Sequence, residues 1–153
     1  MNALGKTDVG LRRHENQDTF AVETVGSRVI AVVCDGMGGA EGGQIASSLA
    51  VETFMKELRA LLREDMSMEQ LRELASFCVA QANTAVYQRS IEDEDCRGMG
   101  TTLVSAVAGE QGTIVCNVGD SRAYLIRSGE ITRITHDHSV VQTLVENGNI
   151  TAE

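Results

Sequence analysis

The residue order predicts an α+β fold in which helices stack on an antiparallel sheet. Two β-rich runs come first, joined by a Gly-Ser turn. Two long stretches with helical apolar spacing follow, and then four short β-rich runs with turn residues between neighbours.

The first pair of runs is Thr19 to Val25 and Arg28 to Cys34, joined at Gly26-Ser27, a hairpin signal. The second run is apolar almost throughout, as a central strand covered on both faces requires, and it delivers Asp35 at its end. From Gly42 the period changes. Ile45, Leu49, Phe54, Leu58, Leu61 and Leu62 recur three to five residues apart and mark an amphipathic helix to about Glu64. Ser67 and Gln70 form a capping box for a second helix, in which Leu71, Leu74, Ala75, Cys78, Val79, Ala82 and Val86 keep a three-four spacing through Tyr87.

Ser90 to Gly100 reads as an acidic loop. Beyond it, 101–108, 113–118, 122–126 and 130–134 are β-rich, with Glu110-Gln111-Gly112 and Ser128-Gly129 supplying turns, so an antiparallel meander is expected. His136 to Glu153 reads as a loop and a short helix, Ser139 to Asn147, ended by Gly148.

The 153 residues are the size of one domain and can bury a core without disulfides or structural zinc. A net charge of −9 with no lysine or arginine cluster argues against a nucleic-acid or anionic-membrane surface. Cys34, Cys78, Cys96 and Cys116 form no CxxC pair and read as buried thiols, and no leader or membrane-spanning stretch is visible. Together these predict a cytoplasmic setting.

Four aspartates stand beside glycine or arginine in short polar loops between apolar runs: Asp8, Asp18, Asp35 and Asp120. Carboxylates held at strand ends, with adjacent glycines freeing backbone carbonyls, suit hard divalent cations, and an arginine nearby suits a phosphate. Each feature also has a plainer reading. Asp35-Gly36 is a common turn pair, Arg13 and Asp18 would make an ordinary surface ion pair, and Asp120 would pair with Arg122 across a turn. Gly98-Met99-Gly100-Thr101-Thr102 reads as a tight strand entry. His136 and His138 flank Asp137 in a zinc-like spacing, but no third ligand has compatible spacing. Ser47, Ser48 and Ser121 lack a partnered histidine in any triad order.

Taken in order, four segments resemble the metal-dependent serine/threonine protein phosphatases of the 2C type, in their bacterial form. They are Thr7-Asp8-Val9-Gly10 through Asn16-Gln17-Asp18, Val33-Cys34-Asp35-Gly36-Met37-Gly38-Gly39, Gly98-Met99-Gly100-Thr101-Thr102-Leu103 and Asn117-Val118-Gly119-Asp120-Ser121-Arg122-Ala123-Tyr124. The resemblance implies a layered α-β-β-α sandwich of two antiparallel sheets with flanking helix pairs. It implies two Mn2+ or Mg2+ ions in a cleft at one end, with Asp35 bridging them, the Gly36 carbonyl on one of them, Asp18 as an outer or water-mediated ligand, and Asp120 at a possible third ion. Arg13 would hold the substrate phosphate, and metal-activated water would attack phosphorus without a phosphoenzyme.

The same resemblance implies that residues 1–153 are a single catalytic domain, incomplete at the C-terminus, with 136–153 beginning the flap and the family's S-D-G and D-N motifs not reached. The implied partners are phosphorylated proteins and a cognate serine/threonine kinase in bacterial signal transduction, acting as a monomer unless truncation causes association. Two other readings stand beside this one: a non-catalytic regulatory or phosphoprotein-binding module, and an inactive fragment lacking the C-terminal metal-binding aspartates.

Overall fold

The computed structural model describes residues 1–39 and 41–139. Strands β1 (Asp18–Val25) and β2 (Arg28–Met37) form the expected antiparallel hairpin, closed by Gly26 at φ 59° and Ser27. After helices α1 (Gly42–Leu61) and α2 (Met68–Glu92) come β3 (Gly100–Thr101), β4 (Leu103–Gly109), β5 (Gly112–Val118), β6 (Tyr124–Arg127) and β7 (Glu130–Arg133). The main sheet runs β1-β2-β4-β5, with β3 also paired to β2, so β2 is central.

Alternation along β2 explains where the core sits. Ile30, Val32 and Cys34 point to one face and join Leu103 and Val107 of β4 beneath the two helices. From above, Ala46, Ala50, Phe54 and Leu58 of α1 and Leu71, Cys78 and Ala82 of α2 complete the cluster. The helices lie side by side, α1 against β1 and β2, and α2 against β5 and β4. The expected capping box is present: Ser67 Oγ accepts from the Gln70 amide at 3.2 Å, and Gln70 Oε1 accepts from the Ser67 amide at 2.9 Å.

The other sheet face is apolar as well, with Phe20, Val22, Ala31, Val104 and Ala106, but no described helix covers it, and Val33 there is 48% exposed. The α+β class therefore holds, and the described residues contain one helix-covered sheet of the expected sandwich together with a small second sheet.

Four expectations need correction. Strand β2 does not stop at Cys34 but continues through Asp35-Gly36 to Met37, because β1 and β3 supply partners on both sides. Asp18 and Asp35 are thus paired strand positions, not loop residues. Helix α2 runs past Tyr87 to Glu92, where Arg89 and Asp93 pair at 2.9 Å, and the supposed acidic loop holds its last turn and a 3-10 turn at Glu94–Cys96.

The meander is split. β4 and β5 pair around Glu110-Gln111, but β6 and β7 form a separate two-stranded ribbon, turning at Ser128 (φ 53°) and Gly129 (φ 83°) in the left-handed geometry such tight hairpins require. Finally, Arg122 is not in a strand and does not pair with Asp120. Its guanidinium binds both oxygens of Asp137, at 3.1 Å and 2.6 Å. The expected helix from Ser139 to Asn147 lies, beyond its first residue, outside the described residues.

Candidate active site

Antiparallel register sets the centre of the site. Asp18, the first residue of β1, faces Asp35 of β2 directly, and the two carboxyl groups are within hydrogen-bonding reach of each other. Partial burial, the Asp18 charge and the bond to Asp18 push the Asp35 carboxyl above its ordinary pKa. Arg13 pulls it back, and Asp120 raises it further. Four of the predicted residues therefore share one electrostatic neighbourhood.

Arg13, His14, Glu15, Gln17, Asp35, Gly36, Met37 and Gly38 line an open cleft of about 640 Å³. Gly36 sits at its base for a steric reason. A Cβ there would lie 1.9 Å from the Gly43 carbonyl oxygen at the start of α1, so only glycine lets the helix close on the strand. The Gly36 amide donates to the Gln17 carbonyl at 3.1 Å, and the Gly43 amide to the Gly38 carbonyl at 2.9 Å. These contacts fix the turn from β2 into α1. Asp8 accepts from the Gly10 amide at 2.8 Å, a local turn role, and Asn16 donates to Thr7 Oγ1 at 2.6 Å and accepts from the Asp18 amide at 3.0 Å.

The sequence marks Thr101 and Thr102 only as part of a tight strand entry, with no side-chain role. The Asp35 amide donates to Thr102 Oγ1 at 3.0 Å, while the Asp35 carbonyl accepts from the Thr102 amide at 2.9 Å and from Thr101 Oγ1 at 3.0 Å. The Asp35 backbone is thus held from both sides by the strand entry that the small-residue run marks.

The residues present suit a divalent cation, in that two carboxylates forced together with a third nearby are relieved by a positive charge. They are only part of a coordination set, because no group of three or more His, Cys, Asp or Glu among the described residues could hold a metal ion. Among the described residues His136 and His138 belong to no such group either, and Asp137 between them is committed to Arg122 and Arg133.

Residues 12–146 match the family model described as Protein phosphatase 2C. The chain belongs to the protein phosphatase 2C family. It is 36% identical to the serine/threonine phosphatase stp of Listeria monocytogenes over 157 residues, covering 100% of this chain and 61% of that relative. Among solved structures it resembles serine/threonine phosphatase Stp1 from Staphylococcus aureus, with a TM-score of 0.86, 35% identity, and coverage of 95% of this chain and 57% of that one. It also resembles the Mycobacterium tuberculosis phosphatase PstP/Ppp, with a TM-score of 0.79, 34% identity, and coverage of 95% and 58%. The chain spans about three-fifths of the length of the curated protein phosphatase 2C relative. No described helix is long and apolar enough to cross a membrane.

Proposed function

We propose that the chain carries part of the active site of a cytoplasmic bacterial phosphatase that removes phosphate from serine and threonine in proteins, opposite a cognate kinase. The observation that supports this most is the Asp18–Asp35 pair, facing across β1 and β2 beside a cleft that also contains Arg13. Residues 1–153 form one catalytic-domain portion in this reading, and 136–153 open its flap.

Arg13 receives the phosphoryl oxygens, since a guanidinium fork matches a phosphate and remains charged at any working pH. Asp35 and Asp18, with the Gly36 carbonyl, hold Mn2+ or Mg2+, and Asp120 serves a further ion. When bound, such ions neutralise phosphoryl charge and lower the pKa of water. Among the described residues the cleft lining contains no Ser, Thr or Cys, which favours direct hydrolysis over a hydroxyl- or thiol-linked phosphoenzyme. The rival reading, a non-catalytic binding module, is not favoured, because the named relatives are phosphatases.

The test is hydrolysis of a phosphothreonine peptide with Mn2+ present. Arg13→Ala should raise KM by ~10- to 100-fold, the weight of a charge-assisted contact. An unchanged KM would remove Arg13 from the phosphate site.

A further inference from the structure

We infer that Ser121 is a positioning residue that ties the Asp120 loop to the backbone of Asp35 through Thr102. The inference rests on the cation reading of Asp35. Thr102 Oγ1 accepts the Asp35 amide proton at 3.0 Å and also lies 2.7 Å from Ser121 Oγ, a bond in which either hydroxyl can donate. One hydroxyl therefore joins β2 to the loop after β5.

The residue on the other side of Asp120 is pinned to the same side chain. Gly119, at φ 95°, approaches so closely that a Cβ would lie 2.7 Å from Thr102 Cγ2. Its carbonyl accepts from the His138 amide at 2.9 Å. Asp120 is thus held between two neighbours that both rest on Thr102, and its charge is felt at Asp35. The consequence is a fixed spacing between the Asp120 and Asp35 carboxylates, set by two hydroxyls and not by either carboxylate itself.

The link should be visible in Mn2+ binding, read as free Mn2+ by electron paramagnetic resonance, independently of turnover. Ser121→Ala should weaken binding ~2- to 12-fold, the range of one hydrogen bond, with secondary structure and unfolding midpoint preserved. Thr102→Val should reproduce that loss, and Thr102→Ser, which keeps the hydroxyl but not the methyl against Gly119, should bind more tightly than Thr102→Val. In an Asp120→Asn background Ser121→Ala should cost nothing more, because the carboxylate it positions is gone. A second readout needs no metal: hydrogen exchange of the Asp35 amide should quicken in Thr102→Val and Ser121→Ala and stay unchanged in Asp120→Asn.

Additive losses for Ser121→Ala and Asp120→Asn, or wild-type binding by Ser121→Ala, would overturn the inference while leaving the cation reading standing. A wild-type chain that binds no Mn2+ would overturn the cation reading, and unchanged Asp35 amide exchange in both Thr102→Val and Ser121→Ala would overturn the inference.

Discussion

Replacing Gly36 by alanine should destabilise the protein more than any other single-methyl addition in the cleft. The added Cβ would lie 1.9 Å from the Gly43 carbonyl oxygen, 2.4 Å from its carbon and 2.8 Å from the Gln17 carbonyl oxygen. All three are backbone atoms, so no rotamer change relieves the overlap. To regain an ordinary contact of 3.4 Å, the start of α1 must withdraw by about 1.5 Å. That movement strains the Gly43 to Gly38 hydrogen bond of 2.9 Å and drags Ala46, Ala50 and Phe54, all essentially buried, out of register with the sheet.

The cost should reach about 3 kcal/mol, the upper end for overpacking. For a domain of this size that lowers Tm by about 6–12 °C. The assay is urea unfolding followed by circular dichroism. Gly39→Ala serves as control, where no described atom beyond the chain neighbours lies within 4 Å of the added Cβ and the backbone angle of 33° is unfavourable, for about 1–2 kcal/mol. A Gly36→Ala midpoint within about 0.5 kcal/mol of wild type would refute the claim that close strand–helix approach dictates glycine here.

Three further outcomes follow. Because the Asp35 pKa is raised in the folded state, its favourable contribution to the metal-free fold is complete below the unfolded carboxylate value and fades as pH climbs through the folded one. Asp35→Asn should therefore melt higher than wild type at neutral pH without metal and gain nothing from Mn2+, whereas wild type gains; melts from pH 4 to 7.5 check both. Asp137 has the opposite sign. Arg122, through its hydrogen bonds, holds its pKa down, so its support is present above the unfolded value and is lost as pH falls through the folded one. Asp137→Asn should remove that pH dependence and speed tryptic cleavage at Arg127 and Arg133. Ser67→Ala, which opens the capping box of α2, should cost about 1 kcal/mol in urea unfolding.

What the sequence disclosed was local. The Gly26-Ser27 hairpin, the Ser67 cap and the apolar stripes of both helices follow from period and turn chemistry within a few residues. What it hid depended on partners far along the chain. Asp35 looks like a strand-ending residue until Thr101 and Thr102, some 66 and 67 residues later, extend the strand past it. Arg122 looks like the partner of Asp120 until Asp137 arrives 15 residues on, with two oxygens in bidentate geometry. Ser121, set aside because no histidine partners it, finds a threonine 19 residues back. Arg13, Asp18, Asp35, Gly36 and Asp120 stand out in the sequence because charged residues in short polar segments between apolar runs catch the eye. The hydroxyls that hold them carry no comparable mark.

The most direct measurement is a Mn2+ titration of the protein in which binding, by electron paramagnetic resonance, and phosphothreonine-peptide hydrolysis are followed together. The account predicts that the two curves rise over the same Mn2+ range and that Asp35→Asn abolishes both while the chain stays folded. Hydrolysis that persists in Asp35→Asn, or that proceeds without bound Mn2+ or Mg2+, would contradict it.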